Sequence, residues 1–134
     1  MQIILALLLV PLFIYAQDLP PGQMLLPEDA LPEYEAKIDH ARLIRDTSKS
    51  VLKLGKSVYQ QNCASCHGTP NTPGSVPNAL GFWEGKFQHG KDPYTMYLTL
   101  TRGWRMMAPQ AMLKPREKYA VIHYIQETYL KKQN

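Results

Sequence analysis

The stretch Cys63-Ala64-Ser65-Cys66-His67 constrains this chain more than any other. Two thiols three positions apart, with an imidazole directly after the second, form the C-x-x-C-H pattern by which a haem c is attached. The spacing sets both sulfurs along one edge of a macrocycle, where each adds to a vinyl group as a thioether. It also holds His67 under the iron as an axial ligand. Two other chemistries use a C-x-x-C pair. A structural zinc needs four ligands; the chain has no further cysteine, and His40, His89 and His123 lack the spacing of a zinc finger. A thioredoxin-like dithiol expects a βαβ setting, and no strand pattern of that kind surrounds Cys63. The residues therefore point to one haem c, covalently attached through Cys63 and Cys66. That leaves no cysteine for a disulfide.

At 134 residues the chain has room for one domain and an extension. Residues 3–15 are an almost unbroken apolar run, too short to cross a bilayer as a free-standing helix. The run fits the core of a secretory signal over residues 1–16, with Ile14-Tyr15-Ala16 as the cleavage site before Gln17. No Lys or Arg precedes it, so the alternative is an uncleaved, peripheral membrane anchor. Export to a periplasmic or similar compartment agrees with the haem, because attachment in c-type cytochromes occurs outside the cytoplasm. Residues 17–46 form an acidic extension carrying Pro20, Pro21, Pro27 and Pro32. Its first part reads as an extended tether. After Pro32, acidic Glu33 and Glu35 and apolar Tyr34, Ile38, Ala41 and Leu43 or Ile44 predict a helix over 33–46.

Residues 47–134 read as the haem domain. Val51, Leu52, Leu54, Val58 and Tyr59 give a helix over 49–61 a broad apolar face. Gly55 inside it costs roughly 1 kcal/mol against alanine; it marks either close approach of another backbone or a tolerated glycine on an exposed face. Residues 68–90 hold five glycines and three prolines and form loop. Phe82, Trp83 and Phe87 there either line a haem crevice or cap an ordinary core. Asp92-Pro93 starts a helix that Gly103 closes. Then comes a methionine-rich loop, Trp104 to Met112. A thioether is a soft donor for the open side of haem iron. Met107, beside Ala108-Pro109, is the first candidate, followed by Met106 and Met112. Methionines also serve as adaptable packing, and His89 and His123 are the rival ligands. The last helix, 115–130, carries a stripe of Tyr119, Ile122, Ile125 and Tyr129. A stripe that wide packs against the 49–61 helix, with Gly55 admitting Tyr124 or a neighbour. The fold class is all-α, three to four helices around one haem.

In this order of elements the chain resembles the class I, mono-haem c-type cytochromes over residues 47–130. Four features carry the resemblance: the C-x-x-C-H motif, Pro77-Asn78-Ala79-Leu80-Gly81, Met107-Ala108-Pro109, and the crossing of Gly55 and Tyr59 with Tyr124. The runs Gly-Trp-x-x-Met-Ala-Pro from Gly103 and Lys-Tyr-x-Val-Ile-His-Tyr-Ile from Lys118 are also similar to cytochrome domains of bacterial, especially planctomycete-type, periplasmic dehydrogenases. The resemblance implies a cytochrome c fold in which the Pro77 carbonyl accepts the Nδ1–H of His67. It also implies that Leu80 packs on the haem face and that Met107 completes the coordination. Ala108 is a departure, since many members have proline directly after the methionine.

Charge bears on partners. Residues 47–134 carry 12 Lys and Arg against 4 Asp and Glu, while 17–46 carry 3 against 7; together they give the net charge of +4. A basic haem domain is steered toward an acidic redox partner, and salt weakens the steering. Nucleic acid is excluded as a partner because the basic residues are dispersed and the chain reads as exported. The expected function is electron transfer by one haem cycling between ferrous and ferric iron, with no enzymatic activity of its own. The alternative is a haem subunit of a larger dehydrogenase or oxidase complex. A haem enzyme or gas sensor would require that no methionine binds the iron.

Overall fold

Four helix starts among the described residues are fixed by side chains. In the computed structural model, which describes residues 31–131, α1 (His40–Arg45) begins on Asp39, whose Oδ1 accepts the Arg42 N–H at 2.9 Å. Ser48 does the same for α2 (Lys49–Val58). After the short α3 (Ala64–His67), Asp92 caps α4 (Pro93–Arg102), with proline at its first position and Gly103 past its end. Glu117 reaches back to the Lys114 N–H at 2.7 Å to start α5 (Pro115–Ile125). Two 3-10 turns, Glu33–Lys37 and Phe82–Glu84, and two π-helical turns, Tyr59–Cys63 and Gln126–Leu130, complete the regular structure. No β-strand occurs among the described residues, only isolated bridges at Thr69–Thr72 and Trp104–Met107. The all-α expectation holds. The expected signal at 1–16 and the proline-rich tether of 17–30 lie outside the described residues.

Helices α2 and α5 form the main crossing of the molecule, and glycine makes it possible. A Cβ on Gly55 would lie 2.0 Å from the Ala120 carbonyl oxygen and 2.8 Å from the Tyr124 Cβ. The close approach buries Val58 and Tyr59 with Ile122, Ile125 and Tyr129 in one cluster, joined by Met96 and Tyr97 from α4. Tyr97 and Tyr119 stack with centroids 4.6 Å apart and planes 10° from parallel. Such a pair adds about 1 kcal/mol beyond the area it buries.

The 33–46 stretch departs from the single helix expected. Ile38 is extended (φ −90°, ψ 126°), and the chain restarts as α1 on its Asp39 cap. The break lets the segment bind the core at three points. Tyr97 Oη lies 2.8 and 2.9 Å from the two carboxylate oxygens of Glu35 and donates to that carboxylate. Nδ1 of His40 lies 2.9 Å from the Tyr119 hydroxyl. The His123 Nε2–H donates to the Leu43 carbonyl at 3.1 Å. Glu35 is buried, and so is Lys118, whose Nζ donates to Thr101 Oγ1 at 3.0 Å and sits 5.2 Å above the Tyr97 ring. A buried carboxylate is tolerated when hydrogen bonds and an opposite charge surround it. Here the Tyr97 phenol stands between the two charges. Residues 33–45 are thus packed against α4 and α5, a placement their acidic composition did not announce.

Candidate haem centre

Helix α2 delivers the motif through the π-helical turn Tyr59–Cys63, and α3 carries it. The end of α3 is pinned from beneath. The buried Tyr59 hydroxyl donates to the Gly68 carbonyl at 2.7 Å, and Gly68 turns away at φ 73°. Burial and the neighbouring Tyr129 push the Tyr59 phenol far above its ordinary pKa, so it stays a donor. The following loop folds back on the motif. Ser75 N–H donates to the Ser65 carbonyl, and a Cβ on Gly74 would lie 1.9 Å from the Cys66 carbonyl oxygen. Tyr59 was read from sequence as an apolar face residue at the crossing with Tyr124. Its anchoring role depends on a partner across the motif, which helical periodicity does not show.

Both thiols are free. Cys63 is half-buried, and burial first, then the adjacent Cys66, pushes its thiol up to about 11; Cys66 is exposed. His67 is held on two sides. Its Nδ1 lies 2.9 Å from the Leu80 carbonyl, so Nδ1 carries the proton and the Nε2 lone pair is available to a metal. Phe82 stacks on the ring, centroids 4.7 Å apart and planes at 26°. Phe87 leans on Phe82, and Trp83 meets Tyr129 edge-on. The three aromatics that sequence left between crevice and core all pack against the core, and Phe82 among them also meets the histidine.

The acceptor for His67 corrects the expectation for Pro77. Val76–Ala79 form a turn closed by the Ala79 N–H on the Val76 carbonyl at 3.0 Å, and Pro77 sits at its exposed apex. The chain then runs back toward the imidazole, so the carbonyl that arrives is that of half-buried Leu80.

The methionine loop hangs from the end of α4. Trp104 and Met107 exchange both backbone hydrogen bonds at 2.8 Å, enclosing Arg105 at φ 50° and Met106. A non-glycine residue in the left-handed region costs of order 1 kcal/mol, a strain that accompanies sites where position matters. Gly103 is required where it stands. At φ 79°, a Cβ there would lie 2.6 Å from the Met107 carbonyl oxygen and 2.9 Å from the Pro109 ring. The loop returns to α4 through the Gln110 N–H on the Leu100 carbonyl at 2.7 Å. Within it Met106 is 82% and Met112 93% exposed, whereas Met107 is half-buried. Of the rival histidines, His123 is buried with Nε2 engaged, and His89 is exposed with its ring edge-on to Trp104.

The donor set fits haem c. Two unpaired thiols with C-x-x-C-H spacing, an imidazole with Nδ1 committed and Nε2 available, and one half-buried thioether are what the group requires. No cluster of three or more His, Cys, Asp or Glu side chains able to hold a metal ion occurs among the described residues.

Comparison with known proteins agrees. The family described as cytochrome c oxidase, cbb3-type, subunit III matches residues 50–125, from α2 to the end of α5. The cbb3-type cytochrome c oxidase subunit CcoP of Azospirillum brasilense is 36% identical over 64 residues, covering 44% of this chain and 21% of that protein. The chain thus matches about a fifth of the length of this curated relative. Among solved structures, a chain of the Kuenenia stuttgartiensis reducing HAO-like protein complex aligns with a TM-score of 0.49 at 23% identity, covering 60% of this chain and 44% of that one. With its all-α architecture, its C-x-x-C-H motif and a family match over residues 50–125, the chain belongs to the cbb3-type cytochrome c oxidase subunit III family and is a class I c-type cytochrome, an electron-transfer haem domain.

Proposed function

We propose that this chain is an exported monohaem electron-transfer protein that works as a haem-bearing component of a larger redox assembly and catalyses no reaction of its own. The observation that carries the reading is the fixed His67 ring beside two free thiols, with Nδ1 tied to the Leu80 carbonyl and Nε2 available. Cys63 and Cys66 would hold the haem, and His67 and Met107 would be its axial ligands. When bound, the haem supplies one-electron chemistry at iron, with a His/Met pair raising the potential.

The chain's own residues do the rest. The Leu80 carbonyl fixes the imidazole tautomer and strengthens His67 as a ligand. Phe82 and Tyr59 keep the ring and the motif in place, so little rearranges when the charge changes. The doubly anchored loop holds the Met107 backbone in the same way. The link to a larger assembly rests on the CcoP relative, an oxidase subunit of which this chain matches only part. The basic excess of residues 47–134 favours an acidic docking surface on the partner.

The test is the spectrum of the purified, dithionite-reduced holoprotein with and without carbon monoxide, with haem that stays bound on denaturation. An unchanged spectrum supports a six-coordinate carrier. Rapid carbon monoxide binding would favour an open-site sensor or enzyme. Isolation of the native protein would then separate a free shuttle from a subunit that co-purifies with its complex.

A further inference from the structure

Arg102 ends α4, and its Nε is buried with no hydrogen-bond partner among the described residues. The ion pairs there, His40–Glu35, Lys86–Glu84 and Lys131–Glu127, do not include it. The residue as a whole is half-buried, but a buried N–H without an acceptor is costly, and a guanidinium cannot relieve it by losing the proton. The neighbouring buried cation meets the same difficulty differently: Lys118 has Thr101, the Tyr97 ring and the Glu35 carboxylate nearby. Arg102 has no such arrangement. It lies one helical turn beyond Leu98, which packs on the core, and directly before Gly103, where the methionine loop begins. The end of α4 thus carries a buried donor that calls for an acceptor, directly before the methionine loop.

We propose that Arg102 is the counter-ion of a haem propionate, its buried Nε–H donating to the carboxylate. The inference rests on the haem c reading above, because that group is what brings carboxylates to this place. A guanidinium suits the role, since its planar fork matches a carboxylate in two directions. Arg102 thereby becomes a positioning residue. It fixes the haem at the end of α4 and places a positive charge near the iron, which favours the ferrous state.

The experiment compares Arg102→Gln and Arg102→Lys with the native holoprotein by redox titration across pH. Covalent haem content and the reduced spectrum serve as controls. For Arg102→Gln the expected result is a lower potential and a new pH-dependent step, as the unpaired propionate begins to titrate. Arg102→Lys keeps the charge and should retain most of the native potential. A correctly assembled Arg102→Gln holoprotein with the native potential and pH profile would overturn the inference. So would a truncation of residues 17–30 that reproduced the Arg102→Gln profile, which would assign the pairing to an acid in that segment. Nitrogen-15 NMR of the unmodified holoprotein tests the same point without mutation. The Arg102 Nε–H should exchange slowly and shift between ferric and ferrous states, and a fast-exchanging, unshifted resonance counts against the pairing. Absence of covalent haem from the native protein would instead overturn the parent reading.

Discussion

Replacing Gly55 by alanine adds one methyl group at the tightest point of the α2–α5 crossing. The new Cβ would lie 2.0 Å from the Ala120 carbonyl oxygen and 2.6 Å from its carbon, against an ordinary contact of 3.4 Å or more. Both atoms are backbone, so no rotamer change relieves the overlap, and α5 must retreat by about 1.4 Å to reach that contact. Overpacking by a methyl group costs roughly 1–3 kcal/mol, and the rigid obstacle puts Gly55→Ala at the upper end or beyond. Alanine recovers roughly 1 kcal/mol of helix propensity. A net loss of about 2–3 kcal/mol corresponds to a fall in Tm of about 8–24 °C for a domain of this size. Thermal unfolding of the holoprotein by circular dichroism measures it. Ala120→Gly should give no rescue, because the obstacle is a carbonyl that glycine also carries. An unchanged or raised Tm for Gly55→Ala would refute the reasoning, since it would mean the helices are not in backbone contact.

Met107→Ala should let carbon monoxide bind the reduced protein rapidly, whereas Met106→Ala and Met112→Ala, both at exposed side chains, should leave the native spectrum unchanged; carbon monoxide difference spectra decide. Tyr59→Phe removes the donor to the buried Gly68 carbonyl and should cost about 1–2 kcal/mol in guanidinium unfolding at an unchanged slope. A neutral result would show that Tyr59 does not anchor the motif. Hydrogen bonds from the side chain and backbone of Thr95 hold the Asp92 carboxyl below the usual carboxylate range. Because the folded value lies below the unfolded one, its contribution is complete above about pH 4 and is lost as pH falls through the folded value. Asp92→Asn keeps the capping oxygen and should flatten that part of the acid limb in a plot of Tm against pH; an unaltered slope would contradict the cap.

What could be read from the sequence was local chemistry. The helix start at Asp92-Pro93, the stop at Gly103 and the proline opening the last helix depend on neighbouring residues and appear where expected. Gly55 was legible as a packing glycine because its helix-propensity cost required a compensating contact, and Ala120 and Tyr124 provide it. Glu35 was not legible. Its place among acidic neighbours reads as a solvated first turn, and its partner Tyr97 is 62 residues away. The same holds for His40 with Tyr119 and for Leu43 with His123, each joined across most of the chain. For the same reason the break at Ile38 left no mark in the periodicity. Pro77 shows a subtler limit. The sequence located the right loop, but which carbonyl meets His67 depends on the turn at Val76–Ala79, and there the proline faces outward.

The π-helical turn at Tyr59–Cys63 has a consequence for insertions and deletions. Such a turn holds one residue more than the α-helix it interrupts, and each α-helical residue advances by about 100°. The apolar stripe of α2 and the Cys63–His67 motif are therefore out of phase by one position. A single-codon deletion between Tyr59 and Cys63 would remove that extra residue, restore an uninterrupted helix and leave the sulfurs and the imidazole near their places, whereas the same deletion inside α2 would rotate its stripe by about 100° against the motif. The same deletion in the exposed stretch Gln88 to Lys91 would shorten a surface connection and leave the motif's phase untouched. A one-residue gap placed at the π turn when related chains are aligned thus stands for a helix without the extra residue and with the haem-binding edge in place, just as one at Gln88–Lys91 changes only the length of a loop.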